Sequence, residues 1–342
     1  MEKLFFPIQE RKRKNRLSSL KLAIPACKHS LGTAIKNKQL SSFSQIFIFA
    51  GSFFTVKVTN YMNSCLLTGV FAIVMNTESG GDKMDNKKMV INQFGSNARN
   101  YVISQIHAKG KDLDFIREVV KGGKNKVLLD VATGGGHVAN ALAPLFKTVT
   151  ALDLTPKMLA QAEEFIESNG HDNVVFVQGD AEDLPFGDKS YDVVTCRVAP
   201  HHFPNVKRFI GESFRVLTDG GMFILVDNVS PELDGFDQFY NKVEKKRDPS
   251  HYRAYKKSEW ISWIEEKGFS IQLFRTFKKR FVFDEWCRTM NLSSKDKEEL
   301  NNYMIASPRE VINFFSIEME NNQIQSFQGE AMILIALKTI NA

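Results

Sequence analysis

The stretch Val127-Leu128-Leu129-Asp130-Val131-Ala132-Thr133-Gly134-Gly135-Gly136-His137 constrains this chain more than any other. An apolar run closed by a carboxylate, then three glycines after a short gap, reads as a buried parallel strand entering a tight turn. From 138 to 145 a helical pattern resumes, with Pro144 near its end. Backbone N–H groups at a helix start have no partner within the helix, and glycine lets a ligand approach them closely. Strand, turn and helix start together make a site for a polar group of a nucleotide-type ligand, without saying which nucleotide.

The same alternation continues along the chain. A second strand is expected over 148–152, ending at Asp153; Pro156 then opens a helix over 157–168, with Met158, Leu159, Ala162, Phe165 and Ile166 on one face. A third strand (174–177) runs into Gly179-Asp180, and a fourth (191–196) into Arg197 and His201-His202. A helix over 206–217 stops at Asp219-Gly220-Gly221, and a fifth strand (222–226) ends at Asp227. Helices over 97–108 and 112–120 precede the first strand; a helix over 258–267 and strands over 270–277 and 331–338 come after the fifth. Residues 284–325 read as mainly helical, and 231–257 as a polar and aromatic insertion. Strands and helices alternating at crossover length predict a right-handed, mostly parallel α/β sheet. Asp153, Asp180, Arg197 and Asp227 all fall just past strand C-termini, where open α/β sheets bind ligands.

The net charge of +6 invites a nucleic-acid reading, but its distribution removes it. Residues 1–83 hold 12 Lys/Arg against 4 Asp/Glu, whereas residues 84–342 hold 33 against 35. The larger part of the chain therefore carries no electrostatic case for binding a phosphate backbone. Cys27, Cys65, Cys196 and Cys287 stand far apart, without C-x-x-C or metal-ligand spacing, and read as reduced thiols of a cytoplasmic protein that uses no metal.

Residues 1–83 differ in kind from the rest of the chain. A basic run at 11–16 precedes a region, 39–77, in which only Lys57 is charged. Its apolar patches, 46–56 and 65–75, are each shorter than the roughly 20 residues that cross a bilayer. The segment shows no clean helical or strand period, and Gly80-Gly81-Asp82 can be encoded by GGAGGTGAT, a bacterial ribosome-binding sequence at a workable distance from the Met84 codon. Translation is therefore expected to start at Met84, with 1–83 a non-native or disordered leader; membrane contact is expected only if that leader is real. Residues 84–342 would form the domain: a core at 124–228, a cap at 229–257, and C-terminal strands and helices at 258–342.

Asp153 lies 19 residues beyond Gly134 at the end of the neighbouring strand, where a carboxylate can accept both hydrogen bonds of a ribose diol. That serves any adenosine cofactor, NAD included. The third strand is more selective. Gly179-Asp180-Ala181-Glu182-Asp183-Leu184-Pro185-Phe186, followed by Tyr191-Asp192-Val193-Val194 and by Arg215-Val216-Leu217-x-x-Gly220-Gly221, resembles the class I S-adenosylmethionine-dependent methyltransferases, in particular the small-molecule type similar to ubiquinone/menaquinone C-methyltransferases. One departure is Ala132, where many family members have glycine.

The resemblance implies a Rossmann-like fold: a mostly parallel seven-stranded sheet, helices on both faces and a helical cap. It implies S-adenosylmethionine as cofactor, with Asp130 and Gly134 to Gly136 on its methionine part, Asp153 on the ribose, and Asp180 with Ala181 on the adenine. Tyr101, Ala132, Thr133, Leu154 and Arg197 complete the implied set. Phe94-x-x-x-Ala98-x-x-Tyr101 is similar to the family's N-terminal lid helix. Methyl transfer from a sulfonium is an in-line displacement in which the protein chiefly supplies alignment and water exclusion. A hydroxyl or acidic-carbon acceptor would also need a base, and His201 and His202 are the candidates, because histidine titrates near neutral pH. The insertion, with Tyr240, Arg247, His251, Tyr252 and Arg253, would line the pocket of a small-molecule acceptor. The competing readings are an NAD-type oxidoreductase, which leaves the stretch 179–186 unexplained, and a non-catalytic cofactor-binding module.

Overall fold

In a computed structural model, backbone is described for residues 42–49, 52–60 and 71–76, and backbone with side chains for 85–95 and 110–339. The chain divides into two compact units, Met1–Ser79 and Gly80–Ala342. Within the first, β1 (Ser42–Phe49), β2 (Ser52–Asn60) and β3 (Phe71–Asn76) form an antiparallel sheet in the order β1-β2-β3. Strands thus form here without the clean strand period that residues 1–83 lack. The stretches are rich in Phe, Ile, Val and Thr, whose β-propensity does not need strict alternation.

The second unit is built on one twisted sheet. Its parallel strands are β4 (Val127–Val131), β5 (Thr148–Asp153), β6 (Val174–Gln178), β7 (Tyr191–Arg197) and β8 (Leu217–Val229). Antiparallel to β8 lies β11 (Gln323–Lys338), which pairs on its other side with β9 (Phe269–Val282). The seven strands run β6-β5-β4-β7-β8-β11-β9, and the short β10 (Glu318–Glu320) adds an eighth against the start of β11. Strands β4, β5, β7 and β8 are nearly continuous runs of buried apolar side chains, as expected where helices cover both faces.

One face is covered by α2 (Lys111–Val119), α3 (His137–Leu142) and α4 (Pro156–Ser168), whose Leu113, Ile116, Val138, Leu142 and Ile166 pack on Leu128, Val149, Val193 and Ile333. The other is covered by α5 (Val206–Val216) and α7 (Lys257–Lys267), which set Phe209, Ile210, Trp260 and Ile264 against Leu129, Val194, Leu225 and Leu334. A third cluster forms a helical cap. There α6 (Asp234–Arg247) packs Phe239, Tyr240 and Val243 against α8 (Phe283–Arg288), α9 (Ser294–Ile305) and α10 (Arg309–Phe314). The insertion is therefore a packed layer, and it buries Asp237, Glu244 and Asp248 as well as its apolar residues.

Three expectations change in detail. The turn at 219–221 lies within β8, which starts at Leu217; Tyr191 pairs with Leu217 but Val193 with Met222, so the glycines form a bulge where Gly220 takes a positive φ of 74°. Strand β9 runs on to Val282, because β11 pairs with it along its whole length. Residues 318–320 and 323–325 are strand where helix was expected, drawn into pairing at the head of β11. The expected helix at 97–108, together with Ala98 and Tyr101, lies outside the described residues. Residues 85–95 are helical and are designated α1.

Candidate active site

The parallel strands deliver their C-terminal ends to one edge of the sheet. The chain passes from β4 to β5 and β6 on one side and then returns to β7 on the other, so a crevice opens above β4. A cleft enclosing about 1050 Å³, its open mouth included, occupies that place. It is lined by Asp130, Ala132, Thr133, Gly134, Asp153, Leu154, Asp180, Ala181, Arg197 and His202. Residues far apart in sequence are thus assembled on one wall.

Asp130 closes β4 and is buried. Its Oδ2 accepts from the Thr133 hydroxyl at 2.6 Å and its Oδ1 from the Thr195 hydroxyl at 2.8 Å. Burial raises its pKa to about 6, against the opposing pull of these two hydroxyls. Thr195 was not foreseen; its place on the adjoining strand β7, opposite Asp130 in register, is the signal that would have found it.

The turn after β4 depends on left-handed backbone. Ala132, Gly134 and Gly136 have φ of 55°, 56° and 80°. A Cβ on Gly136 would meet Ile166 Cδ1 at 2.9 Å and Ala162 Cβ at 3.0 Å, so the bare glycine is what allows α4 to pack on the turn. A Cβ on Gly134 would meet only Met158 Cε at 3.5 Å, so that segment stays thin where it borders the cleft. Asp153 braces the turn from β5: its Oδ2 accepts the Gly134 N–H at 2.9 Å and its Oδ1 the Thr155 N–H at 2.8 Å. Burial raises the pKa of Asp153 too, with the two backbone donors working against that rise.

At the next strand end, Asp180 Oδ1 accepts the Glu182 N–H at 2.9 Å. Its Oδ2 receives the Lys87 ammonium at 2.6 Å, and the same ammonium reaches Glu182 Oε2 at 2.7 Å. Burial opposes the charge of Lys87, but the two carboxylates outweigh it and hold its pKa above the ordinary lysine value. Lys87 belongs to α1, which lies over the cleft with Val90 and Phe94 also on its wall. Asn86 anchors the same helix on the other side, donating to the carbonyls of His202 at 3.0 Å and Ser250 at 3.4 Å. Neither Asn86 nor Lys87 was foreseen. The spacing Asn86, Val90, Phe94 was the available sign of a helix face.

Arg197 lines the cleft, but its guanidinium grips Asp112 in a fork, Nε to Oδ2 at 2.6 Å and NH2 to Oδ1 at 3.2 Å. That pair fixes the start of α2 against the end of β7 and, with Arg197 beside it, holds the Asp112 carboxyl below the usual range despite burial.

The two histidines, adjacent on the turn Pro200–His202, have different surroundings. His201 Nδ1 lies 2.6 Å from Asp227 Oδ1, and a carboxylate partner requires the hydrogen on Nδ1. Burial lowers the pKa of His201, but the Asp227 charge and hydrogen bond prevail and raise it overall. Its Nε2 has no protein partner among the described residues. His202 turns its Nδ1 to the Ser250 carbonyl at 3.1 Å and its edge to Phe94, with ring centroids 5.0 Å apart. Burial first, and the neighbouring His201 second, push its pKa down to about 3, so it stays neutral. The insertion braces this turn: Tyr252 and Arg253 donate backbone N–H groups to the His201 carbonyl, each at 2.9 Å, and the His251 and His201 ring centroids are 5.5 Å apart.

Such a fold, with a bare glycine turn after the first parallel strand and acids at the next two strand ends, defines a nucleotide-cofactor α/β enzyme of the methyltransferase type. Comparison with known proteins gives the family. The family model described as "Methyltransferase domain" matches residues 129–225. The uncharacterized methyltransferase YcgJ of Bacillus subtilis (strain 168) is 32% identical over 72% of this chain and 97% of its own length. A demethylmenaquinone methyltransferase of Bacillus pumilus is 32% identical over 49% of this chain and 74% of its own. Among solved structures, the Bacillus halodurans C-125 protein BH2331 superposes with a TM-score of 0.66 at 48% identity, covering 68% of this chain and 100% of that one. The chain belongs to the class I S-adenosylmethionine-dependent methyltransferases. Its methyl donor is S-adenosylmethionine, and the cleft fits that group in the chemistry of its lining, with the buried Asp130 and Asp153 and the half-buried Asp180 at three successive strand ends. Among the described residues no helix is long and apolar enough to cross a membrane.

Proposed function

We propose that this methyltransferase acts on a small-molecule acceptor bearing an acidic O–H or C–H, with His201 as the base and Asp227 as the group that orients it. The observation that carries the reading is the 2.6 Å contact of His201 Nδ1 with Asp227 Oδ1, which leaves the Nε2 lone pair for a proton. His202, with Nδ1 held by Ser250 and its pKa near 3, serves as wall rather than base.

S-adenosylmethionine, when bound, supplies an electrophilic methyl group on a sulfonium centre. Asp130 and the turn Gly134 to Gly136 would hold its methionine part, Asp153 with Leu154 its ribose, and Asp180 with Ala181 its adenine. Thr133 and Thr195 keep the Asp130 carboxylate in one orientation. Asn86 and Phe94 of α1 pack on His202, and the Tyr252 and Arg253 N–H groups hold the His201 carbonyl, so the turn that carries both histidines is braced from two sides. His201 takes the acceptor's proton on Nε2, and Asp227 stabilises the resulting imidazolium. Support for a small acceptor comes from the balanced charge of residues 84–342, which offers no track for a polyanion, and from the demethylmenaquinone methyltransferase among the relatives. The test is transfer of labelled methyl from S-adenosylmethionine into a cell extract, separated into protein, nucleic-acid and low-molecular-weight fractions. Label in the last fraction, lost with His201→Gln, is expected; label only in protein or RNA overturns the proposal.

A further inference from the structure

Lys87 stands at the cleft edge that the proposed function gives to the adenine. Its ammonium bonds Asp180 Oδ2 at 2.6 Å and Glu182 Oε2 at 2.7 Å, while Asp180 Oδ1 is taken by the Glu182 N–H. Glu182 is buried and its other oxygen receives the Asn205 N–H, so this carboxylate cannot turn away. An adenine 6-amino group and the Lys87 ammonium are therefore two donors addressed to one acceptor. A charge-assisted bond is roughly twice as strong as a neutral one, so the ammonium is a serious competitor.

We propose that Lys87 sets the purine selectivity and affinity of the cofactor site by competing with the 6-amino group for Asp180. The proposal rests on the reading of Asp180 as the adenine partner. The chemistry of the groups has two consequences. An amino group at purine position 6 must displace or share the lysine, which lowers affinity for adenosine ligands. A carbonyl at the same position accepts from the ammonium instead, so a 6-oxo purine is tolerated while Lys87 is present. Lys87 also sits one residue from Asn86, which bonds the His202 and Ser250 carbonyls. Displacing Lys87 thus loosens one of the two anchors of α1 while the other stays on the His202 and Ser250 carbonyls.

The experiment is calorimetric titration with S-adenosylhomocysteine and with its 6-oxo analogue, S-inosylhomocysteine, on the full chain and on the K87M, K87R and D180N variants. The wild-type protein is expected to favour the amino ligand by less than about tenfold, since each donor offsets the other. In K87M the amino ligand should tighten by about tenfold and the oxo ligand weaken, so that selectivity widens by one to two orders of magnitude. K87R, which keeps the charge, should stay close to wild type. K87M moving both ligands equally, or weakening the amino ligand, while D180N still alters selectivity, would overturn the role of Lys87 alone. Identical selectivity in D180N and wild type would remove Asp180 from the adenine edge and overturn both readings.

Discussion

The carboxylate of Asp153 accepts the Gly134 N–H at 2.9 Å, so the end of β5 holds the glycine turn that comes after β4. The two residues are separated in sequence by a helix and a strand, and their contact makes the methionine and ribose ends of the proposed cofactor site one mechanical unit. Replacing Asp153 with Ala removes the acceptor for both the Gly134 and the Thr155 N–H groups and leaves those donors to pair elsewhere. S-adenosylhomocysteine affinity should fall by about 10- to 100-fold, corresponding to roughly 1.4–2.8 kcal/mol, as read by calorimetry. D153N, which keeps one acceptor oxygen, should lie between Ala and wild type.

Ala132 occupies the left-handed region at φ 55°, a conformation that costs a residue with a Cβ about 1 kcal/mol or more. Ala132→Gly removes that strain and returns part of the gain as unfolded-chain entropy, so stability should rise by up to about 1 kcal/mol in a denaturant titration. Ala132→Val should lower it.

Gly136→Ala tests the packing of α4 on the turn. The added methyl meets Ile166 and Ala162 at about 3 Å on a backbone with φ of 80°. A loss of about 2 kcal/mol in stability is expected, from strain and overpacking together.

The raised pKa of Asp130, about 6, gives a pH dependence with a defined sign. A carboxyl whose folded pKa lies above its unfolded value contributes stability below the unfolded pKa, near 4, and loses it as pH rises through about 6. Ligand binding runs the other way, because the ammonium of the bound amino-acid moiety favours the ionised form. Affinity for S-adenosylhomocysteine should therefore strengthen severalfold between pH 5 and pH 7, and Asp130→Asn should flatten that slope.

The cleft residues all lie in the unit Gly80–Ala342. A polypeptide beginning at Met84 is predicted to bind S-adenosylhomocysteine with the affinity of the full chain.

Much of the fold could be read in advance because parallel strands buried on both faces leave unbroken apolar runs, and because their ends are marked by acids and glycines. Asp130, Asp153 and Asp180 were legible for that reason. What sequence could not show was the pairing of side chains across elements. His201 and His202 are neighbours of one residue type, and only the presence of Asp227 beside one and the Ser250 carbonyl beside the other separates them. Arg197 reads as a strand-end ligand group, yet its fork is closed on Asp112, 85 residues earlier. Lys87 and Asn86 lie in a short helix that brings only two apolar residues, Val90 and Phe94, to the cleft, too few for a clear periodic signal.

The central claim is that the His201–Asp227 pair removes a proton from a small acceptor. With the acceptor recovered from the labelled extract, the measurement is the pH dependence of kcat in wild type and in Asp227→Asn. Since Asp227 raises the His201 pKa, the wild-type rate should climb as pH rises through a value above the ordinary histidine range. In Asp227→Asn the inflection should move to lower pH and the plateau fall by about 10²- to 10⁴-fold, because the imidazole loses the partner that fixes its tautomer and stabilises its charged form. A plateau within threefold of wild type, with the inflection unmoved, would contradict the account.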